Sequence, residues 1–379
     1  MKGTEFDDIR PYYDCEIPAA MHRIAASEYF PELSLYVYPD KDIEDVRNMV
    51  RGFKTTREFQ LEAMRAVNEQ VIARSISDFS FSGIEHIDKN KRYLFISNHR
   101  DIMLDSCLLQ YVLYKNGHET SEITFGSNLM CNDLIVDIGK SNKMFRVERS
   151  GKSKDFYSSM CHLSKYIRYV INDKKQSVWI AQRNGRTKDG NDFTSQNIIK
   201  MFGLSMPQDK ITALEELNIL PVSISYEWEP CDLSKALETY ESHFIKYVKK
   251  PGEDLVSILT GILQQKGKVH IEFCEQVTSN DLIRFSSCKP NDYNKMVARL
   301  IDQRILSRYK LYPNNFIAHD LLHDQEIYTD KYTSDEKDAF VKHLECLDRY
   351  DVNDRNMLRA IFIGIYANPV DNILKSKQL

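Results

Sequence analysis

The chain has 379 residues, of which 42% are hydrophobic and 28% charged, and its formal net charge at pH 7 is −4. This length allows a sizeable core, as one large domain with additions or as two domains. The slightly acidic balance excludes a general nucleic-acid binder, whose basic footprint would show in the totals.

The eight cysteines are scattered without paired metal-type spacing, and the N-terminal residues are too acidic and polar for a signal peptide. We therefore expect reduced, mostly buried thiols in a cytoplasmic protein without a metal site. No apolar run is long enough to cross a bilayer. Any membrane contact is expected to be peripheral, on the inner face of the membrane.

Residues 1–76 are predicted to form an N-terminal helical segment. Apolar residues recur at three- and four-residue steps between positions 42 and 75, which predicts one long or two shorter amphipathic helices. Two alternatives stay open for the apolar residues of this segment: packing over the core, or an interfacial contact with lipid. The residues concerned are Phe30, Leu33, Leu35, Tyr36, Tyr38, Val46, Val50 and Phe53.

Residues 77–287 are predicted to form an α/β domain, because strand patterns alternate there with helix patterns. The predicted strands are 79–83, 93–97, 122–126, 176–181, 217–226 and 268–273, and the predicted helices are 129–138, 156–171 and 255–264. Beyond position 288 every strong pattern is helical, at 293–309, 335–347 and 356–366. Residues 288–379 are therefore predicted to form a C-terminal helical segment.

The stretch from Tyr93 to Asp105 is typical of a strand that delivers a histidine, His99, at its C-terminal end, where open α/β sheets place their chemistry. Asp101 is a candidate N-cap for the helix that follows. Asp105 would lie about one turn into that helix. An imidazole can take a proton from a substrate hydroxyl when a carboxylate on its far nitrogen fixes its tautomer. His99 and Asp105 are the candidate pair, with Asp101 as the alternative partner.

Three further signals follow in order: Phe145-x3-Arg149, the loop sequence Asn184-Gly185-Arg186, and an apolar strand led by Pro221. Together with Asn98-His99-x5-Asp105 they resemble the ordered blocks of the glycerolipid acyltransferases, the superfamily of glycerol-3-phosphate and 1-acylglycerol-3-phosphate acyltransferases. The resemblance spans residues 79–275. It implies a central mixed sheet flanked by helices, with helical segments at both ends.

The resemblance also implies an activity: transfer of a fatty acyl group from an acyl thioester to a hydroxyl of a glycerol-phosphate-type acceptor in phospholipid synthesis. The co-substrate would be an acyl thioester of coenzyme A or of acyl carrier protein, without another cofactor. By the same resemblance His99 is the general base and Asp105 orients it, while Arg149 and Arg186 bind the acceptor's phosphate. Guanidinium forks suit phosphate oxygens. The full set of predicted substrate-binding residues is Asn98, Arg149, Asn184, Gly185, Arg186 and Lys188.

The sequence departs from the family pattern at two places. The family has four residues between the histidine and the aspartate of its dyad, whereas five separate His99 from Asp105. The glutamate of the family's Glu-Gly-x-Arg block is missing, and its place is taken by Arg183 or Asn184, depending on the alignment. A non-catalytic relative that binds lipid or an acyl carrier is therefore the alternative. Metallophosphoesterase and serine-hydrolase chemistry are excluded because their motifs are missing.

Overall fold

The computed structural model describes residues 5–130, 132–149 and 153–377. These residues form a seven-stranded sheet in the order β1-β7-β6-β2-β5-β3-β4. The strands are β1 Ile76–Ser82, β2 Leu94–Ser97, β3 Glu122–Gly126, β4 Met144–Val147, β5 Val178–Ala181, β6 Ile219–Tyr226 and β7 Gly267–Phe273. Neighbouring strands are parallel except β6 and β7, which are antiparallel. The predicted mixed sheet is confirmed.

Strand β2 carries His99 just beyond its end and lies inside the sheet, between β5 and β6. All four of its residues are buried, which explains the continuous apolar run of its sequence. Strands β5, β3 and β4 run parallel to β2. The loops after these four strands therefore meet at one edge of the sheet.

Helices cover both faces of the sheet and form regions of their own at both ends of the chain. The described residues contain α-helices α1 to α17: Ile17–Ala26, Phe30–Val37, Ile43–Gly52, Thr56–Glu58, Arg65–Ser75, Leu104–Lys115, Asp133–Ser141, Ser153–Asn172, Gln196–Phe202, Thr212–Glu215, Asp232–Ser242, Glu253–Leu263, Ser279–Ile283, Pro290–Arg308, Pro313–His323, Ser334–Glu345 and Arg355–Ser376. A π-helical turn, Phe59–Met64, joins α4 to α5. The predicted helix pattern up to position 75 is thus divided between α3 and a second, longer helix.

Alternate side chains of β2 point into two different cores. Leu94 and Ile96 pack with residues of α8, α9 and α14 on one face of the sheet. Phe95 packs with residues of α5 and α6 on the other face. Because α14 shares the core of the sheet, the region beyond position 288 is not wholly separate from it. The predicted domain boundaries stay predictions.

The N-terminal helices decide between the two alternatives for four of the eight apolar residues named in that segment. Phe30, Val46, Val50 and Phe53 are buried in one cluster with residues of α1. Packing over the core therefore holds for these four residues. Leu35 is 61% exposed and remains free for another contact. Among the described residues, no helix is both long and apolar enough to cross a membrane.

The thiols are free but less buried than expected. Cys107, Cys231 and Cys274 are buried, whereas the other four cysteines of the described residues are partly or fully exposed. The prediction of mostly buried thiols is therefore wrong for the described part of the chain. Cys131 lies outside the described residues.

Candidate active site

His99 and Asp105 form the contact that the sequence predicted. The Nδ1 atom of His99 is 2.9 Å from Oδ2 of Asp105, and both side chains are buried. Helix α6 begins only at Leu104, so His99 lies in the loop before it, which is what the six-residue separation requires. The geometry of the pair is therefore present, while its catalytic role stays a prediction.

The surroundings of Asp105 fix the tautomer of the imidazole. Its Oδ2 accepts hydrogen bonds from the backbone N–H groups of Arg100 (2.6 Å) and Asp101 (2.9 Å), and its Oδ1 accepts one from the hydroxyl of Tyr226 (2.8 Å). Asp105 is an acceptor in all of these contacts, so we assign the hydrogen of the fourth to His99 Nδ1. The lone pair of Nε2 is then available to a substrate, as a general base requires.

Asp101 was expected to be the N-cap of this helix, but the N-cap of α6 is Met103, and Asp101 supports the start of the helix from two residues earlier. Its Oδ1 accepts hydrogen bonds from the backbone N–H groups of Met103 (2.9 Å) and Leu104 (2.8 Å), at the start of α6. Its Oδ2 is buried without a partner among the described residues. Burial, and then the nearby charge of Asp105, raise the pKa of Asp101 above its ordinary 3.8. Since Asp105 faces His99, the alternative pairing of His99 with Asp101 is not found.

An apolar cavity of about 440 Å³ opens beside His99. Trp179 stands edge-on to the imidazole, with ring centroids 5.8 Å apart, and its indole N–H donates to the hydroxyl of Ser97. Most of the other lining side chains are aliphatic, aromatic or methionine side chains from both sheet and helices, including Ile123, Phe125, Leu129, Ile135, Ile138, Met144, Phe156, Met160, Leu163, Ile180, Met201, Leu255 and Ile258. A space of this size and lining suits a flexible hydrocarbon chain.

His99 also lines a polar cavity of about 430 Å³. The cationic residues of its lining, within the described ranges, are Arg149, Arg183, Arg186, Lys188 and Lys249. The two lysines are neutralised, because Lys188 pairs with Glu238 and Lys249 pairs with Asp254. The three arginines form no ion pair with any described residue. They therefore give this cavity the free positive charge that an anionic substrate group needs.

Arg149 follows β4 and reaches the junction of the two cavities. It passes so close to Gly126 that a Cβ atom there would lie 2.4 Å from its Nε. Burial lowers the pKa of Arg149 below its ordinary value, with the charge of Asp254 opposing the shift. Arg146, three residues before Arg149, is ion-paired with Glu148 at 2.6 Å and lines neither of these cavities.

Helix α12 holds the side chain of Arg186 in place. Its Nη2 donates to the hydroxyl of Ser257 (3.0 Å), whereas its Nη1 is buried without a partner among the described residues. Burial opposes its charge, but Cys231 and Asp101 outweigh that effect, so the pKa of Arg186 is raised. The preceding Gly185 has φ +76°, and this left-handed backbone, rather than crowding, accounts for a glycine there.

The other predicted substrate-binding residues differ in their placement. Asn184 is exposed and lines both cavities. Asn98 is fully buried and exchanges two hydrogen bonds with the backbone of Ile224 (2.8 and 2.9 Å), so it fastens β2 to β6. The ammonium group of Lys188 forms an ion pair with Glu238. For Asn98 and Lys188 this placement does not favour contact with a phosphate.

A buried charge network that the sequence did not predict lies beside the dyad. Arg100 is 1% exposed; its Nη2 lies 2.5 Å from Asp192 Oδ2 and its Nη1 3.2 Å from Glu229 Oε2. Lys235 donates to the carbonyl oxygen of Arg100 (2.6 Å) and to Glu229 Oε1 (2.5 Å). The network ties the histidine loop to the loop after β5. Arg100 and its partners in this network are far apart in sequence. Only the position of Arg100 next to His99 indicated that one of them lies at the site.

Two comparisons with known proteins give matches. Residues 78–224 match the model of the Acyltransferase family. The crystal structure of the 1-acyl-sn-glycerophosphate (LPA) acyltransferase PlsC from Thermotoga maritima is similar over 78% of this chain and 96% of that chain, with 14% identity and a TM-score of 0.37. A likeness this low carries no argument about function. None of the curated proteins matches the sequence. The matched segment contains His99, Asp105, Arg149 and Arg186.

Proposed function

We propose that this chain transfers a fatty acyl group from an acyl thioester to a hydroxyl of a glycerol-phosphate-type acceptor, on the premise that residues 78–224 match the Acyltransferase family model and contain the motifs in the family's order. One observation carries the proposal: His99, oriented by Asp105, lines both the apolar cavity and the arginine-lined cavity. The first suits the acyl chain and the second suits the phosphate. The reacting hydroxyl and the thioester carbonyl would then meet beside Nε2.

The proposed reaction proceeds without an acyl-enzyme. Nε2 of His99 takes the proton of the acceptor hydroxyl while the hydroxyl oxygen bonds to the thioester carbonyl carbon. The carbon–sulfur bond then breaks, and the thiolate takes the proton back from the imidazolium. Asp105 stabilises that imidazolium and keeps the ring in position. Because a thioester is already activated, proton removal and positioning suffice for catalysis.

Recognition of the acceptor rests on the arginines. Arg149 and Arg186 together can offset a phosphate dianion, and Nη1 of Arg186 has a free hydrogen-bonding position for it. Arg183 or Asn184 stands where the family has a glutamate, so the acceptor's glycerol hydroxyls would meet a guanidinium or an amide there. This exchange removes a negative charge next to the phosphate position.

The proposal includes a peripheral contact with the cytoplasmic face of a membrane, through α12 and the loop before it. Seven large hydrophobic side chains of this described segment are exposed: Phe244, Ile245, Val248, Leu255, Val256, Leu259 and Leu263. On α12 the last four fall within an arc of about 100°, whereas the small residues Ser257 and Gly261 are buried on the opposite side. Lysines at 246, 249 and 250 precede the helix. Apolar residues flanked by lysines are typical of interfacial segments.

The position of α12 supports this placement of the membrane contact. Leu255 lines the apolar cavity and Lys249 lines the polar one. A product with a hydrocarbon tail could therefore pass from the cavity into lipid along the same helix.

The function is tested with the full chain and defined substrates. Acyl-coenzyme A and acyl-acyl carrier protein are each offered with glycerol 3-phosphate, 1-acylglycerol 3-phosphate and an unphosphorylated monoacylglycerol, and lipid products are identified by mass spectrometry. We expect acylation of a phosphorylated acceptor only, and no product from the His99→Ala variant. Thioester binding without turnover in the unchanged protein would instead establish the alternative, a non-catalytic lipid- or carrier-binding relative.

A further inference from the structure

Three side chains with metal-binding groups converge between α15 and α17, in the C-terminal helical region. His319 and His323 lie one turn apart on α15, with ring centroids 4.5 Å apart. Asp371 of α17 faces both: its Oδ1 is 3.3 Å from Nε2 of His319, and its Oδ2 is 3.3 Å from Nε2 of His323. The three groups can offer ligand atoms that all lie within 4.8 Å of one another.

One ring nitrogen of the buried His319 has no hydrogen-bond partner. The residue is 4% exposed, and its Nδ1 makes no hydrogen bond with another described residue, whereas Oδ1 of Asp371 lies 3.3 Å from its Nε2. Buried polar groups are hydrogen-bonded in the great majority of cases, so the unpartnered Nδ1 needs a reason. A cation bound to Nε2 would place the ring hydrogen on Nδ1, which faces Oδ1 of Asp320 at 3.9 Å.

The carboxylate that Nδ1 of His319 faces is itself held in place. Oδ2 of Asp320 accepts hydrogen bonds from the backbone N–H of Tyr328 (3.1 Å) and the hydroxyl of Tyr332 (2.9 Å). Its Oδ1 is buried, has no partner among the described residues, and lies 3.9 Å from Nδ1 of His319. Histidines that bind metals commonly direct their second nitrogen to such a carboxylate. The three side chains thus provide the metal ligands, and Asp320 supports one of them, His319.

We propose that His319, His323 and Asp371 bind a divalent transition-metal ion, with zinc as the best fit. Tetrahedral zinc with bonds near 2.05 Å separates its ligand atoms by about 3.3 Å. The three ligand atoms lie within 4.8 Å of one another, and each imidazole has one oxygen of Asp371 at 3.3 Å, so a small movement of the side chains would close the site around the ion. Two imidazole nitrogens suit zinc, whereas magnesium and calcium prefer oxygen ligands. His323 is partly exposed, so a water molecule can complete the coordination from the solvent side.

The role of this ion would be structural, because it would bridge two helices behind the active site. Asp371 lies between Asn368 and Asn372 on α17, and both asparagines support the loop that carries Arg186. Asn368 donates to the carbonyl oxygen of Asp189 (2.6 Å), and Asn372 donates to Oδ1 of Asn191 (3.3 Å). Bridging α15 to α17 would therefore hold the helix on which the phosphate-binding loop rests. The proposed site is separate from the proposed acyl transfer and does not depend on it.

The test uses the untagged full chain, stripped with a chelator and dialysed. Zinc binding is measured by calorimetry with zinc chloride, and the ligand field by the visible spectrum after cobalt(II) is added. We expect one zinc per chain, tetrahedral cobalt bands and a higher melting temperature with zinc. His323→Ala and Asp371→Asn should each weaken zinc binding at least about a hundredfold. His22→Ala, an exposed histidine of α1, is the matched control and should bind zinc like the unchanged protein.

Three results would overturn the proposal: less than about a tenth of a zinc per chain, octahedral cobalt spectra, or unchanged binding by His323→Ala. The last result would place the ion on other ligands, such as the exposed thiols. Because His323 lies at the surface, its replacement should not unfold the chain, and circular dichroism of the metal-free variants checks this.

Discussion

Gly261 of α12 lies directly against Asp101, whose side chain is hydrogen-bonded to the start of the helix carrying Asp105. A Cβ atom at position 261 would come within 2.1 Å of Asp101 Oδ2, a distance that forces one of the two to move. Asp101 in turn holds the backbone N–H groups of Met103 and Leu104. A small residue on α12 thus protects the geometry of the histidine loop.

Gly261→Ala should therefore damage the site from a distance. We expect at least a tenfold loss of turnover and a lower stability, by about 1–3 kcal/mol, because the added methyl group overpacks a buried contact. Urea unfolding and steady-state kinetics measure the two effects. Gly52→Ala is the matched control, since a Cβ at position 52 of α3 meets no atom within 4 Å. Equal behaviour of the two variants would contradict the role given to Gly261.

The dyad should show a graded response to substitution. His99→Ala is expected to lower kcat by about two to four orders of magnitude with little change in acceptor KM, as loss of a general base does. Asp105→Asn should be similarly harmful. The N–H groups of its amide would face the backbone N–H groups of Arg100 and Asp101 or the hydroxyl of Tyr226, which are themselves donors. Asp101→Asn keeps an oxygen for the hydrogen bonds to the start of α6 and should cost much less. A greater loss with Asp101→Asn than with Asp105→Asn would show that the partner has been misassigned.

Arg149 and Lys188 line the same cavity but differ in their pairing, which makes them a matched pair of variants. Arg149→Gln should raise the acceptor's KM about 10- to 100-fold and leave the thioester's KM almost unchanged, since a phosphate would lose a charge-assisted contact. Lys188→Gln should have a small effect, because Glu238 already holds that charge. Equal shifts for both substrates in Arg149→Gln would point to general damage of the loop.

The membrane contact is tested by placing charge on the exposed face of α12. The double variant Leu259→Glu, Leu263→Glu should bind anionic vesicles at least tenfold more weakly than the unchanged chain at low salt. Its activity on a water-soluble short-chain thioester and a soluble acceptor should persist. Leu35→Glu on α2 is the control, with comparable exposure in the N-terminal segment. Selective loss of vesicle binding in Leu35→Glu would move the contact to that segment, and no binding by the unchanged chain would refute it.

Asp302 of α14 should make stability depend on pH. Its Oδ1 accepts hydrogen bonds from the N–H and the hydroxyl of Thr194 (both 2.6 Å), yet burial raises the pKa of Asp302 from 3.8 to about 6. Between these two values the folded chain holds a proton that the unfolded chain has lost. The free energy of unfolding should therefore fall as the pH rises from about 4 to about 6, by up to about 3 kcal/mol.

Asp302→Asn should remove this part of the pH dependence, because an amide does not titrate. The measurement is urea unfolding at several pH values, with Asp338→Asn, an exposed aspartate of α16, as the control. Parallel stability curves for Asp302→Asn and the unchanged chain would contradict the assignment.

The sequence predicted what local patterns determine and missed what depends on packing between distant segments. The strand before His99, the hydrogen bonds of Asp101 to the start of α6 and the contact with Asp105 all follow from a single stretch of chain. Asn98 was assigned to substrate because it adjoins His99, but its partner, Ile224, is 126 residues away. Tyr226 could have been noticed as a polar residue at the end of a buried strand. The sequence did not indicate a role for Gly261, because that role depends on its contact with Asp101.

The charges of Arg100, Lys235, Asp192 and Glu229 sum to zero, in a region closed to solvent. Removing any one of them would strand an unpaired charge in the interior, at a cost of about 3–5 kcal/mol. The loop that carries His99 and Arg100 consequently cannot be exchanged with the loop of a related protein by itself. Asp192, Glu229 and Lys235 would have to be exchanged with it. Substitutions that change the substrate range are therefore tolerated better in the cavity walls than in the segment next to His99.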